Sequence, residues 1–256
     1  MKRQQEDSRI LTLIHPIKAE QPGWGYRMVW AYLKYRQGHQ INKKRIYRIM
    51  KEHNLLVQPN WRLKARRDNQ NNRNKPRANR PNQFWGIDMT KVMIESFGWL
   101  YVVIVLDWYT KKIVGYSVGP KSKAIDWLEA LDMACNQQFP DGILRKDRDL
   151  FLVSDNGTQP TSEKFMQACS VMEIKQIFAS YNNPKGNADT ERVIQTIKHD
   201  FVWINEFSTP TEFVEKFKIW IKTKYNADRP HSTLGYRTPC EFEKEQLQLC
   251  TKNSLA

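Results

Sequence analysis

The sequence predicts an α/β protein: a mixed five-stranded sheet flanked by helices, preceded by a small helical domain. Three observations carry the prediction. Residues 1–58 place apolar side chains at helical spacing. Residues 59–83 contain almost no aliphatics. From Phe84 onward, three apolar runs joined by short turns give way to alternating helix and strand patterns. At 256 residues, 40% of them hydrophobic, the chain has room for one domain of ordinary size and a smaller one.

In the first segment, Gly25-Tyr26-Arg27-Met28-Val29-Trp30-Ala31-Tyr32-Leu33 sets Met28 or Val29, Tyr32 and Leu33 on one helical face, and Gly38-His39-Gln40 breaks the pattern. Asn42 is the natural N-cap of a second helix running through Ile46, Tyr47, Ile49 and Met50, with Lys43, Lys44, Arg45, Arg48 and Lys51 on its outer surface. Two helices around a Gly-containing break, the second one basic, form the pattern of a helix-turn-helix over residues 1–58, although any small helical hairpin reads the same way. Residues 59–83 are rich in Asn, Arg, Lys and Pro and read as a basic linker or an arm ordered by its ligand. Arg62, Lys64, Arg66 and Arg67 there suit a phosphate backbone, and Trp61 suits a base or an anchor to its own domain.

The net charge is +14, and residues 1–80 carry 20 Lys/Arg against five Asp/Glu, whereas residues 81–256 carry 21 against 22. The whole excess lies in the first third. A concentrated cationic arm suits a polyanion, because each neutralised phosphate releases condensed counterions. A solvated tail or a face on acidic lipid is the competing reading.

The remaining elements follow in order. Strands are expected at Phe84–Met93, Trp99–Trp108 and Ile113–Val118, the last two joined by the turn Tyr109-Thr110-Lys111-Lys112. The unbroken run Leu100–Leu106 suggests burial on both faces. A helix over 122–138 repeats Ala124, Leu128, Leu131 and Cys135. A strand at Leu150–Val153, a helix at Ser162–Met172 and a strand at Ile174–Phe178 come next. The turn-rich loop Tyr181–Gly186 precedes helices at Ala188–Trp203 and Thr211–Tyr225. Three hairpin-linked strands followed by alternating helices and strands describe a ribonuclease-H-like architecture.

Cys135, Cys169, Cys240 and Cys250 lack the paired spacing of a zinc site. No apolar run approaches the roughly 20 residues of a membrane span, and the N-terminus does not resemble a signal peptide. Reduced thiols in a cytoplasmic, nucleoid-associated protein are expected.

Three acids stand out together. Asp88 follows Trp85-Gly86-Ile87 within the first strand, Asp155 ends the fourth before Asn156-Gly157, and Glu191 lies 35 intervening residues later on a helix. A single Asp at a strand end or Glu on a helix usually serves a turn, a cap or the surface. Asp107 is assigned to the hairpin turn, and Asp189 to the helix N-terminus. Delivered by neighbouring strands and a helix, however, Asp88, Asp155 and Glu191 would converge, repel one another and be relieved by divalent cations. All-oxygen ligands favour Mg²⁺, with Mn²⁺ possible, and two ions serve an in-line phosphoryl transfer. Lys198, seven residues after Glu191, shares its helical face with Gln195 and suits a phosphate.

The 35-residue gap, the turn Ser154-Asp155-Asn156-Gly157 and the position of Lys198 resemble the DDE core of the retroviral-integrase superfamily. Tyr225-Asn226, Arg229-Pro230-His231, Leu234-Gly235-Tyr236 and Thr238-Pro239 resemble the end of that core in the second-frame product, OrfB, of bacterial insertion-sequence transposases. The segment Gly25–Leu56 resembles the helix-turn-helix-like region preceding it. The resemblance covers roughly residues 22–245. It implies a catalytic core over 84–245 followed by a tail at 246–256, metal ligation by Asp88, Asp155 and Glu191, and a DNA contact at Lys198. It also implies Mg²⁺-dependent cleavage at element ends followed by attack of the freed 3′-hydroxyl on target DNA. Tyr225, Asn226, Arg229, Pro230 and His231 read as structural or DNA-adjacent. The expected partners are DNA, further copies of the chain on that DNA, and a first-frame protein or a fusion with it, because no heptad repeat for oligomerisation is present. A non-catalytic DNA-binding regulator and a hydrolytic ribonuclease-H-type nuclease are the alternatives.

Overall fold

The computed structural model describes residues 2–57, 77–144, 149–179 and 186–253. The chain forms two compact units. One comprises the described residues of Met1–Asn72 together with Asp228–Thr238, and the other those of Arg73–Ala227 and Pro239–Ala256.

The first unit is helical: α1 (Lys2–Glu20), α2 (Tyr26–Tyr35) and α3 (Lys43–Glu52), with a short 3₁₀ turn at Ser232–Leu234. Asn42 caps α3 as expected, its side chain accepting from the Lys44 amide at 2.8 Å. Ile10, Ile14 and Ile17 of α1 meet Val29 and Leu33 of α2 and Ile46, Ile49 and Met50 of α3 in one apolar core. Tyr47, expected along the same run, is exposed instead. It falls one residue off the buried 3.6-residue stripe.

The second unit is a five-stranded sheet in the order β3-β2-β1-β4-β5. Its strands are β1 (Phe84–Ile94), β2 (Gly98–Asp107), β3 (Ile113–Gly119), β4 (Phe151–Ser154) and β5 (Lys175–Phe178). The β1–β2 and β2–β3 pairs are antiparallel, while β4 pairs parallel with β1 and with β5. Helices α4 (Ala124–Gln138) and α5 (Glu163–Val171) cover one face, where Trp127, Leu131 and Phe165 pack on Trp85, Ile87, Val103 and Leu152. Helices α6 (Ala188–Ile197) and α7 (Pro210–Ile219) cover the other, where Val193, Ile194, Ile197, Phe213 and Phe217 pack on Val102, Ile104, Leu106 and Val153. Alternate residues of each strand thus feed opposite layers, which explains why Leu100–Leu106 is apolar without a break.

The two late helices differ from the sequence expectation. The stretch expected as one helix from Ala188 to Trp203 is α6 followed by a π-helical turn at Lys198–Val202, where the Trp203 amide donates to the Lys198 carbonyl at 2.9 Å. The stretch expected from Thr211 to Tyr225 is α7 followed by a second π turn at Trp220–Tyr225. Both wider turns bring aromatics together, with Phe201 and Trp220 ring centroids 5.3 Å apart. A single turn of altered pitch leaves no mark on an apolar pattern of low resolution. The last helix, α8 (Pro239–Asn253), runs through residue 245, where the sequence reading ended the core. It docks on the β2–β3 turn through Lys112–Glu243 (2.6 Å) and the Tyr109 hydroxyl, which donates to Gln246 (2.9 Å).

Candidate active site

The strand pairing positions the first two acids. β1 and β4 run parallel with Phe84 opposite Phe151, Trp85 opposite Leu152 and Gly86 opposite Val153. The pairing ends there; Asp88 lies two residues beyond Gly86 within β1, and Asp155 lies two residues beyond Val153, just past the end of β4. Side chains two apart on a strand share a face. Gly86 faces α6, and Val153 packs in the layer containing Val193 and Ile194. Asp88 therefore lies on the α6 side of the sheet, Asp155 follows directly on β4, and Glu191 lies in the first turn of α6 itself.

The approach of α6 depends on residues that sequence reasoning passed over. A Cβ on Gly86 would lie 1.9 Å from Thr190 Oγ1, 2.4 Å from Trp108 Nε1 and 2.9 Å from Asn187 Oδ1. Only a residue without a side chain admits the helix so close to the strand. The Trp108 indole N–H donates to Thr190 Oγ1 at 3.1 Å, and Asn187 Nδ2 donates to the Ile87 carbonyl at 3.2 Å. Both bonds are buried. Thr190 immediately precedes Glu191 and Ile87 immediately precedes Asp88, so this lock ties the two acid carriers together. Its one sequence signal is a glycine inside a strand pattern.

Charge links the acids. Burial pushes the Asp88 carboxyl up to about 6. The Met89 amide, 2.7 Å from Oδ1, holds it down, the charges of Asp155 and Glu191 raise it further, and Lys198 lowers it. Asp155 is held by its own turn, with Oδ1 accepting from the Gly157 amide at 3.1 Å, while Asn156 Nδ2 reaches the Ala179 carbonyl at 3.2 Å. Asp155 and Glu191 are exposed, whereas Asp88 and Lys198 are half-buried. Among the described residues no group of three or more His, Cys, Asp or Glu side chains is placed to hold a metal ion; what links Asp88 to Asp155 and to Glu191 is the effect of their charges on its carboxyl. As donors, the three carboxylates offer the all-oxygen set that a hard divalent cation prefers.

The control acids have the roles expected of them. Asp107 is fully buried and accepts from the amides of Asn82 and Tyr109 and from the Thr110 hydroxyl. Asp189 lies in the first turn of α6 as expected and also pairs with Lys111 at 3.3 Å, a partner the local pattern does not show. The Asn226 side chain bonds both the amide and the carbonyl of Ile113, and the Tyr225 hydroxyl donates to the Lys111 carbonyl, so both brace the β2–β3 turn.

The basic helix is partly neutralised within its own unit. Lys43 and Lys44 are exposed. Arg45 pairs with Asp7 and Glu6, each at 2.8 Å, and Arg48 with Asp7 (2.7 Å) and Glu52 (3.0 Å). Asp7, between two guanidinium groups, is held below the usual carboxylate range. The outer surface expected for Arg45 and Arg48 is thus a seam between α3 and α1, because α1 brings acids that an isolated reading of α3 does not include. Arg62, Lys64, Arg66, Arg67 and Trp61 lie outside the described residues, as does most of the 181–186 loop. No described helix is long and apolar enough to cross a membrane.

Known proteins agree with this architecture. Family models described as the integrase core domain match residues 78–184 and 172–239, and a model of an HTH-like domain matches residues 5–64. The transposase for insertion sequence element IS904 of Lactococcus lactis is 29% identical over 168 residues, covering 66% of this chain and 64% of that protein. Transposase InsD for insertion element IS2 of Escherichia coli is 26% identical over 258 residues, covering 95% of this chain and 81% of its own length. The simian T-cell lymphotropic virus intasome, solved in complex with PP2A regulatory subunit B56 gamma, contains a chain similar in fold, with TM-score 0.53 and 15% identity over 83% of this chain and 73% of that one. The ribonuclease-H-like sheet, the two integrase-core matches and the HTH-like match lead to one conclusion: the chain belongs to the integrase-core family of DDE polynucleotidyl transferases that includes insertion-sequence transposases.

Proposed function

We propose that this chain is the catalytic subunit of a DNA transposase, carrying out metal-dependent strand cleavage and strand transfer at insertion-sequence ends. The observation that supports the reading is the parallel β1–β4 pairing, which ends at Gly86 opposite Val153 and whose offset, if continued two residues, would bring Asp88 beside Asp155 on the face that receives Glu191 from α6. Asp88, Asp155 and Glu191 would hold Mg²⁺ or Mn²⁺, which when bound supplies activation of the attacking oxygen and stabilisation of the leaving one. Asp88 would present its carboxylate from β1 and Asp155 from the turn after β4, where the Gly157 amide orients it. Lys198, whose charge already reaches Asp88, would steer a DNA phosphate to the same face. Exposed Lys43 and Lys44 on α3, with the basic stretch containing Arg62, Lys64, Arg66 and Arg67, would contact backbone phosphates. Assembly of several copies on the element ends, with or without a first-frame partner, belongs to the same proposal.

A strand-transfer assay with labelled element ends and Mg²⁺ tests the reading. Joined products support it. End binding without cleavage indicates a regulator, and cutting without joining indicates a nuclease. Asp155→Asn should abolish both chemical steps while end binding persists. Loss of binding together with the folded state would mark Asp155 as a structural turn residue and sink its assignment as a metal ligand.

A further inference from the structure

The tail sequence Leu234-Gly235-Tyr236 is not absorbed by the chemistry of the three acids. Within the helical unit it returns to α2. The Tyr32 hydroxyl donates to Asp228 Oδ2 at 3.2 Å. The Tyr236 ring stacks on Tyr35 (centroids 5.8 Å apart, planes at 14°) and meets Trp30 edge-on at 5.5 Å. Trp30 and Tyr35 also meet edge-on at 5.9 Å, and the Trp30 indole N–H is fixed on the Ile41 carbonyl at 2.9 Å. Two ammonium groups lie over these rings: Lys34 is 5.2 Å from Trp30 and 5.1 Å from Tyr35, and Lys43 is 5.3 Å from Trp30. Among the described residues neither lysine makes an ion pair with a carboxylate.

Two features set this cluster apart from a core. Tyr35 keeps 44% of its surface in water. Tyr236 has φ of +67°, directly after Gly235 at +65°, a left-handed conformation that costs a bulky side chain about 1 kcal/mol or more. The Tyr236 amide, donating to the His231 carbonyl at 2.8 Å, and the ring contacts hold it there. The fold thus places a large aromatic, in a disfavoured conformation, beside the solvent-facing Tyr35 ring, with Lys34 over Tyr35 and both Lys34 and Lys43 over the neighbouring Trp30.

We propose that Trp30, Tyr35 and Tyr236, with Lys34 and Lys43, form a stacking platform for an unpaired base of single-stranded DNA. The proposal rests on the DNA reading above and adds a site to it. Every base presents a π face, so an exposed tyrosine ring accepts any of them. Ammonium groups beside the rings then neutralise the flanking phosphates. A peptide rich in acidic and aromatic side chains would use the same rings and is the competing occupant.

The test uses the full chain and fluorescence anisotropy with a labelled oligothymidylate, an abasic strand of equal length and charge, and a blunt duplex. Wild type should bind the oligothymidylate about tenfold more tightly than the abasic strand. Tyr35→Leu should erase that difference and leave duplex affinity unchanged. Tyr35→Phe, which keeps the ring, should preserve it. Lys34→Gln should lower the salt slope for both single strands by roughly 0.7. Thermal unfolding of each variant confirms a folded chain. Equal wild-type affinity for the thymidine and abasic strands overturns the platform, as does a Tyr35→Leu loss shared with duplex, or displacement of the oligomer by an acidic aromatic peptide at lower concentration. A chain that binds none of the three DNAs fails the transposase reading itself, whereas one that binds duplex without distinguishing the single strands fails the platform alone.

Discussion

Replacing Gly86 by alanine tests the joint between the strand bearing Asp88 and the helix bearing Glu191. The added Cβ would stand 1.9 Å from Thr190 Oγ1 and 2.4 Å from Trp108 Nε1, so the helix retreats or the Trp108–Thr190 bond breaks. Forcing a methyl group into a packed contact costs about 1–3 kcal/mol. A buried indole N–H left without an acceptor costs about 1–3 kcal/mol more. The better strand propensity of alanine offsets less than about 1 kcal/mol. A net loss of about 3 kcal/mol is expected from urea unfolding of the metal-free chain. Thr190→Ala removes the closest clashing atom, so the double variant should be more stable than the sum of the single effects predicts by about 1–2 kcal/mol. Strand transfer should fall by about 10²-fold under conditions where the variant is still folded, because a displacement of about 1 Å at a reacting group has that effect. Stability within about 0.5 kcal/mol of wild type, or strict additivity with Thr190→Ala, would refute the close-approach argument.

Three further outcomes follow from the same geometry. Burial raises Asp88 to about 6 from 3.8, so its contribution to the stability of the metal-free fold is fully present below pH 3.8 and is lost as pH rises through about 6. Asp88→Asn should therefore flatten the metal-free stability profile between about pH 4 and pH 7 by up to about 3 kcal/mol, measured by denaturant unfolding with a chelator present. Asp107, also raised to about 6, is common to both proteins and cancels in the difference. An unchanged profile would contradict the burial of Asp88. Asn42→Ala removes the cap on the Lys44 amide and should destabilise the helical unit by about 1 kcal/mol, read by the exchange of α3 amides. Burial pushes the Cys135 and Cys169 thiols up to about 12, so both should resist alkylation near pH 8 until the chain is unfolded; rapid labelling of either in the native protein would count against the α4–α5 layer.

The family resemblance rested on residues whose types and spacing are visible in the chain: Asp88, Asp155, Glu191 and Lys198. The hairpin-linked strands and the Asn42 cap were equally legible, because apolar alternation, turn residues and capping side chains act over a few neighbours. Arg45 and Arg48 show where that reading stops. Both look like free outward cations on α3, yet α1, some forty residues earlier, supplies Asp7 to both of them.

The sequence by itself determined the menu of elements and the acids available to hold cations, since local sterics and periodicity are properties of short stretches. The tertiary structure decided that β1 pairs with β4 from Phe84 opposite Phe151, that Gly86 admits α6, and that Tyr236 belongs with Trp30 and Tyr35. Each depends on segments some 65 to 200 residues apart meeting at atomic distance, and the closeness of such a meeting is set by the packing of whole layers.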